Sequence, residues 1–181
     1  MMFEADVERF RIAGIRIGAD QTDVEASLMN EMLAPFPVDL RNRAMRMTRL
    51  YALIYCFENS VRQLVKERLE LKYQGDWWEK GVPKKIRDYA DNRMEKAESQ
   101  LWLEGEKGDP LQYVDFGGLS DIIVGSWDEF SDLIDSQHWL KQRMDEIEQA
   151  RNFIAHNRLL RPGEFARLEQ YVRDWQRQVS F

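Results

Sequence analysis

The sequence predicts an all-α fold, on three observations. Apolar residues recur at helical spacing through residues 39–73 with no Gly or Pro to interrupt them, a second such stripe runs through 137–157, and capping or breaking residues stand where each stripe begins and ends. The expected architecture is a helical bundle over residues 39–181, preceded by a short arm, residues 1–38, that carries one helix. At 181 residues the chain suits one domain with a real core.

Within the arm, Phe10-Arg11-Ile12 and Ile15-Arg16-Ile17 alternate like short strands, but Gly14 breaks their phase, so residues 1–19 read equally as a hairpin or a frayed helix. Thr22 and Glu25 form a capping box for a helix over about 23–34, which Pro35 and Pro37 end. Asp39 caps the long helix, whose expected buried stripe is Met47, Leu50, Tyr51, Ile54, Phe57, Val61, Leu64 and Val65, with Glu58 inside it. Gln74-Gly75-Asp76 turns the chain, and Trp77-Trp78 reads as packing over one end of the bundle. Pro83 opens a helix ending near Trp102, and residues 105–110 form a loop. After Gly117-Gly118 comes a short buried helix over 119–124, and Ser126 with Glu129 predicts a further helix of about two turns. Ser136 caps the helix over 137–157. Arg161-Pro162-Gly163 opens the last one, with Phe165, Leu168, Tyr171, Val172 and Trp175 as its inner face.

Charge and composition narrow the function classes. A net charge of −6 argues against a general nucleic-acid coat, because phosphate affinity comes from Lys and Arg. It leaves room for a local basic cleft, and Arg41, Arg43, Arg46 and Arg49 provide one. Lys84 and Lys85, joined by Arg87, open a helix against its dipole, a second hint of phosphate contact beside the default of solvated lysines. The single Cys56 cannot form an internal disulfide and fits a reducing compartment. No apolar run approaches the roughly 20 residues that span a bilayer, and the start of the sequence lacks a basic then apolar leader. A cytoplasmic protein without a membrane segment is expected.

The most informative stretch is Arg151-Asn152-Phe153-Ile154-Ala155-His156, near the end of a helix whose stripe is Leu140, Met144, Ile147 and Ile154. Arg151 falls in the middle of that stripe, where a guanidinium needs a specific partner. Glu58 is the expected one, as a pair that either serves the site or only fixes helix register. Histidine suits proton transfer near neutrality and arginine suits phosphate oxygens, so the run holds the groups for metal-free RNA cleavage. Asn152 and His156 lie about 40° apart on one helix, whereas Arg151 and His156 differ by about 140°. Either the helix loosens after Ala155 or another copy of the chain completes the cleft. The ligand set His138, His156 and Cys56 has no zinc-like spacing, and no phosphate-binding glycine loop or nucleophile elbow is present. No metal and no cofactor are expected.

The R-x4-H run, with Asn directly after Arg, resembles the signature of the HEPN superfamily of small helical domains. The likeness extends over residues 40–179. Around Leu50 to Leu69, Trp77 to Tyr89 and Tyr113 to Trp127 it is similar to the HEPN branch attached to PIN-type RNA endonucleases. The resemblance implies a ribonuclease working as a homodimer on RNA, with Arg151 holding the phosphate, Asn152 orienting a hydroxyl or the ring, and His156 as acid or base. Arg158, expected to touch RNA, stands where one form of the motif has tyrosine, so regulation through that tyrosine is not carried over. RNA processing, a toxin–antitoxin system or phage defence are the implied settings, with an antitoxin-like or PIN or nucleotidyltransferase protein as partner. The rival expectation is an inactive HEPN domain that docks RNA or protein.

Overall fold

The structure is a computed structural model that describes residues 18–99 and 108–179, with backbone alone for 18–25. The hairpin-or-helix question over residues 1–17, the predicted helix end near Trp102 and most of the 105–110 loop lie outside the described residues. The chain divides into two compact units, residues 1–46 and 47–181. In chain order the helices are α1 Gly18–Leu33, α2 Val38–Tyr73, α3 Trp77–Gly81, α4 Lys84–Glu98, α5 Phe116–Gly125, α6 Gln137–Ala155 and α7 Pro162–Val179. Short 3₁₀ turns occupy Gln74–Asp76, Pro110–Tyr113 and Trp127–Glu129. No strand occurs among the described residues, as the helical periodicity predicts.

In the first unit, α1 begins at Gly18, so the Thr22 capping box falls inside the helix rather than at its start. The turn before Pro37 is closed by Ala34 N–H on Glu31 and Phe36 N–H on Leu33, at 3.1 and 3.0 Å.

The second unit is organised on α2, which buries Leu50, Ile54, Phe57, Val61, Leu64, Val65 and Leu69. Phe57 is the junction: its ring stacks on Phe116 of α5 at 6.0 Å between centroids and meets Trp175 of α7 edge-on at 5.6 Å. Helix α6 adds Leu140, Met144, Ile147, Ala150 and Ile154 to the same core, and α7 adds Leu168, Val172 and Trp175. The closest backbone neighbour of α6 is α5 rather than α2. Trp77 and Trp78 are half-buried against the core with rings 5.5 Å apart, which fits packing.

Local sequence accounts for most helix starts. Ser136 accepts the Trp139 N–H at 3.3 Å, and the Glu164 carboxylate takes the Arg161 N–H at 2.8 Å. Helix α5 starts earlier than its glycines suggest, because Asp115 is its cap and accepts the Gly118 N–H at 3.0 Å. A Cβ on Gly118 would come within 2.6 Å of Val114 Cγ1, so only glycine allows this close first turn. The helix predicted after Ser126 is a single 3₁₀ turn instead. Ser126 does not cap it, because its hydroxyl donates to the Gly81 carbonyl at 3.1 Å.

Tyr51, expected inside, is 61% exposed. It shares a row with Tyr55, Glu58 and Arg62 that flanks the buried stripe, at spacings of four, three and four residues. On that row Glu58 forms an ion pair with Arg62, its neighbour one turn on. Arg62 also donates Nε to the Leu111 carbonyl and Nη2 to the Val114 carbonyl, both at 3.0 Å. Both side chains of the pair are nearly buried, at 12% and 13% exposure. Arg62→Ala should therefore cost about 2–4 kcal/mol in a urea titration, because it strands a nearly buried carboxylate and takes a donor from the Val114 carbonyl, while the Leu111 carbonyl keeps the Val114 N–H. Arg151→Ala, on an exposed side chain, should stay within about 0.5 kcal/mol of the parent.

Candidate functional site

Helix α6 ends at Ala155 in a left-handed cap that its sequence dictates. His156 is the C-cap at φ −91° and ψ 20°, and Asn157 follows at φ 58°, a conformation that Asn tolerates better than most residues. The Asn157 N–H reaches the Ile154 carbonyl at 2.9 Å and the Arg158 N–H reaches the Phe153 carbonyl at 3.3 Å, the two bonds of a Schellman motif. The Arg158 guanidinium lies 5.4 Å from the Phe153 ring centre, closing the cap where an apolar contact is usual. His156 still donates its N–H to the Asn152 carbonyl at 3.3 Å, so it keeps its helical direction, about 140° from Arg151, and the chain departs only at Asn157. Of the two arrangements the sequence allows, a loosened end that swings His156 or a cleft completed by another copy, the helix end here does not swing His156 toward Arg151.

Arg151 is exposed, not buried in the α6 stripe, and Glu58 is not its partner. The buried position belongs to Ala150, because α7 packs on the other flank of the helix end. There a groove of about 240 Å³ is lined by Ala150, Phe153, Leu168 and Tyr171, among others. The Arg151 guanidinium donates to the Asn152 side-chain oxygen at 3.1 Å and forms no ion pair among the described residues. Arg151, Asn152 and His156 therefore present a cation, an amide and an imidazole together at one exposed helix end.

Behind this end lies a carboxylate group that periodicity alone did not flag. Burial pushes the Glu148 carboxyl above the ordinary glutamate value; Asp115 and Asp145 push the same way, Arg151 opposes them, and Glu58 adds a smaller push upward. A Cβ at Gly117 would lie 3.7 Å from Glu148 Oε2, which places the carboxylate against the first turn of α5. Asp115 also accepts the Tyr89 hydroxyl at 3.0 Å and lies 3.9 Å from Arg93. On the α7 side, the Tyr171 hydroxyl holds Glu146 below the ordinary glutamate range, while Arg143 stacks 4.1 Å from the Tyr171 ring centre. Asn157 and Asp115 were available to the eye as a left-handed cap and a helix cap; Glu148 carried no signal.

The remaining candidates are not drawn to the motif. Arg43 is an ion pair with Asp39, and Arg43 and Arg46 belong to the first unit. Arg49 is exposed on α2, about 160° around the helix from Tyr51. Lys84 is held by Asp88 at 2.8 Å and Lys85 is exposed, whereas the α4 residues that reach Asp115 are Tyr89 and Arg93. His138 is exposed in the first turn of α6, about 27 Å along the helix from His156. Among the described residues no group of His, Cys, Asp and Glu is placed to hold a metal ion, and no helix is long and apolar enough to cross a membrane.

A family model described as Swt1-like HEPN matches residues 52–180. The chain belongs to this HEPN family. The match takes in α2 from residue 52 onward and every later helix, including the whole Arg151 to His156 run. Neither the comparison with curated proteins nor that with solved structures found a match. Membership brings the all-α HEPN bundle and a connection with RNA as a possible function; the specific activity is taken up below.

The Glu148 carboxyl makes a testable contribution. A carboxyl whose value is raised on folding holds its proton more tightly when folded, so its stabilisation is complete below the unfolded value and is lost as pH rises through the folded one. Glu148→Gln should therefore be more stable than the parent at neutral pH. The difference should close as pH falls below 4.5, the ordinary value, in denaturant titrations across that range.

Proposed function

We propose that this HEPN domain is a metal-independent endoribonuclease whose site is built on Arg151, Asn152 and His156. The observation that carries the reading is the exposed Arg151, free of any carboxylate within ion-pair distance among the described residues, beside an exposed histidine in a chain of charge −6. Arg151 holds a phosphate oxygen, and Asn152, bonded to it, orients the guanidinium. The 2′-oxygen attacks phosphorus and gives up its proton, the bond to the 5′-oxygen breaks, and that oxygen gains a proton. Products then carry 2′,3′-cyclic phosphate ends.

One imidazole per chain serves one of the two proton transfers, and His138 is too far along α6 to serve the other. Two copies with their motifs facing supply both, which supports a composite homodimeric site. Kinship to the HEPN branch that accompanies PIN-type endonucleases, and roles in RNA processing, toxin–antitoxin systems or defence, extend the same reading. So do a cytoplasmic setting and an antitoxin-like, PIN or nucleotidyltransferase partner. The second reading is an inactive docking module, favoured by the cap geometry: cations at a helix C-terminus are stabilised by its dipole without any substrate.

The decisive assay incubates labelled RNA with the protein in EDTA. Cleavage should persist, and His156→Ala should lower it by about 10²–10⁴-fold while moving the melting temperature by no more than about 2 °C. Parental cleavage by His156→Ala sinks the enzyme. The composite site predicts that an excess of His156→Ala protein, mixed with the parent so that subunits exchange, silences the parent chains it pairs with. Parent activity that stays undiminished although mixed dimers form would place the whole site within one chain.

A further inference from the structure

Helix α2 carries an aromatic feature that neither the core nor the R-x4-H group uses. Tyr51 and Tyr55 lie one turn apart with ring centroids 6.4 Å from each other and planes inclined by 30°, and they are 61% and 58% exposed. Single exposed aromatics are ordinary. Two in contact with each other, anchored on a rigid helix, form a pre-organised flat surface at small entropic cost.

Their position relative to the site follows from the row they share. Tyr51, Tyr55, Glu58 and Arg62 occupy one face of α2, and Arg62 binds the carbonyls of Leu111 and Val114 just before α5. The start of α5 in turn adjoins Glu148, and the charges of both Glu58 and Arg151 are felt there. Tyr55 is one turn from Glu58, and Arg151 is one turn from Glu148. The tyrosine pair and the guanidinium thus each lie about one turn from a carboxylate, Glu58 or Glu148, on the helices that flank the start of α5, and Arg62 neutralises Glu58.

We propose that Tyr51 and Tyr55 form a stacking platform for an unpaired RNA base next to the phosphate held by Arg151. The inference rests on the RNA-binding part of the reading above. Stacking is open to every base because each has a π face, and single-stranded RNA is held by this combination of aromatic plane and cation. A second protein copy fits the pair less well as its occupant. Two such rings offer roughly 300 Å², against about 800 Å² per partner in a stable interface.

The test uses the full chain and a short, fluorescently labelled single-stranded RNA that is 2′-O-methylated throughout, so that it binds without being cut. By anisotropy, Tyr51→Ala and Tyr55→Ala should each weaken binding about 5–100-fold. Tyr55→Phe should bind within about twofold of the parent and Tyr55→Trp more tightly, all with an unchanged salt slope because no charge is altered. Parental affinity in the folded alanine variants, or no binding by the parent protein, overturns the platform. A fall in sedimenting mass in Tyr51→Ala or Tyr55→Ala without loss of affinity also overturns it and makes the pair a contact between copies. Tyrosine-dependent binding with no cleavage of ordinary RNA keeps the platform and removes the ribonuclease. Cleavage with tyrosine-independent affinity does the reverse.

Discussion

The arrangement of the second unit depends on the Arg62 guanidinium. It spans from the Glu58 carboxylate on its own helix to the Leu111 and Val114 carbonyls, which belong to the chain that leads into α5. The Leu111 carbonyl also takes the Val114 N–H, at 3.1 Å, and the guanidinium adds a donor to it and to the Val114 carbonyl, which helps both to be buried. Once that segment is fixed, Asp115 is placed to cap α5, Phe116 to stack on Phe57, and Gly117 to lie against Glu148. The ion pair thus sets the register of three helices, a specificity role that buried ionic groups serve better than they serve net stability.

The end of α6 shows how one short sequence meets two demands. The Schellman cap needs a residue at ease with positive φ and an interaction across the turn; Asn157 and the Arg158–Phe153 contact provide them. His156, the C-cap residue, is exposed, as are Arg151 and Asn152 in the last turns before it. Dipole compensation explains cations here in general terms. It does not by itself explain an imidazole and an amide beside an arginine within six residues.

The helices were legible because their stripes are long: Leu50 to Leu69 on α2 and Leu140 to Ile154 on α6 repeat the same spacing often enough to exclude a strand. The motif was legible as a string of letters. Its surroundings were not, because an ideal helical wheel puts Arg151 only about 40° from Ile147 and cannot know which flank the next helix will cover. Helix α7 covers the Ala150 and Phe153 flank, so Arg151 is left outside and Glu58 finds Arg62 instead. The same limit applied to Tyr51. Its apolar character and spacing matched the core, but its row faces the margin of the bundle. At α5 the difference is of another kind: the sequence places Gly117-Gly118 before the helix, whereas Asp115 caps it and the close approach of Val114 requires glycine at Gly118 within its first turn.

These corrections separate two sets of charges that the sequence had merged. Glu58 and Arg62 are nearly buried and mutually satisfied, so they belong to the frame, and changing either acts on folding. Arg151 and His156 are exposed and make few contacts, so the fold gains little from them. A residue that the fold does not need, placed by a cap that the fold does need, is free to be selected for chemistry. Glu148 joins the two sets: half-buried against α5, it feels Glu58 of the frame on one side and Arg151 of the site on the other. A change in core packing around Glu148 therefore reaches the field around the exposed guanidinium.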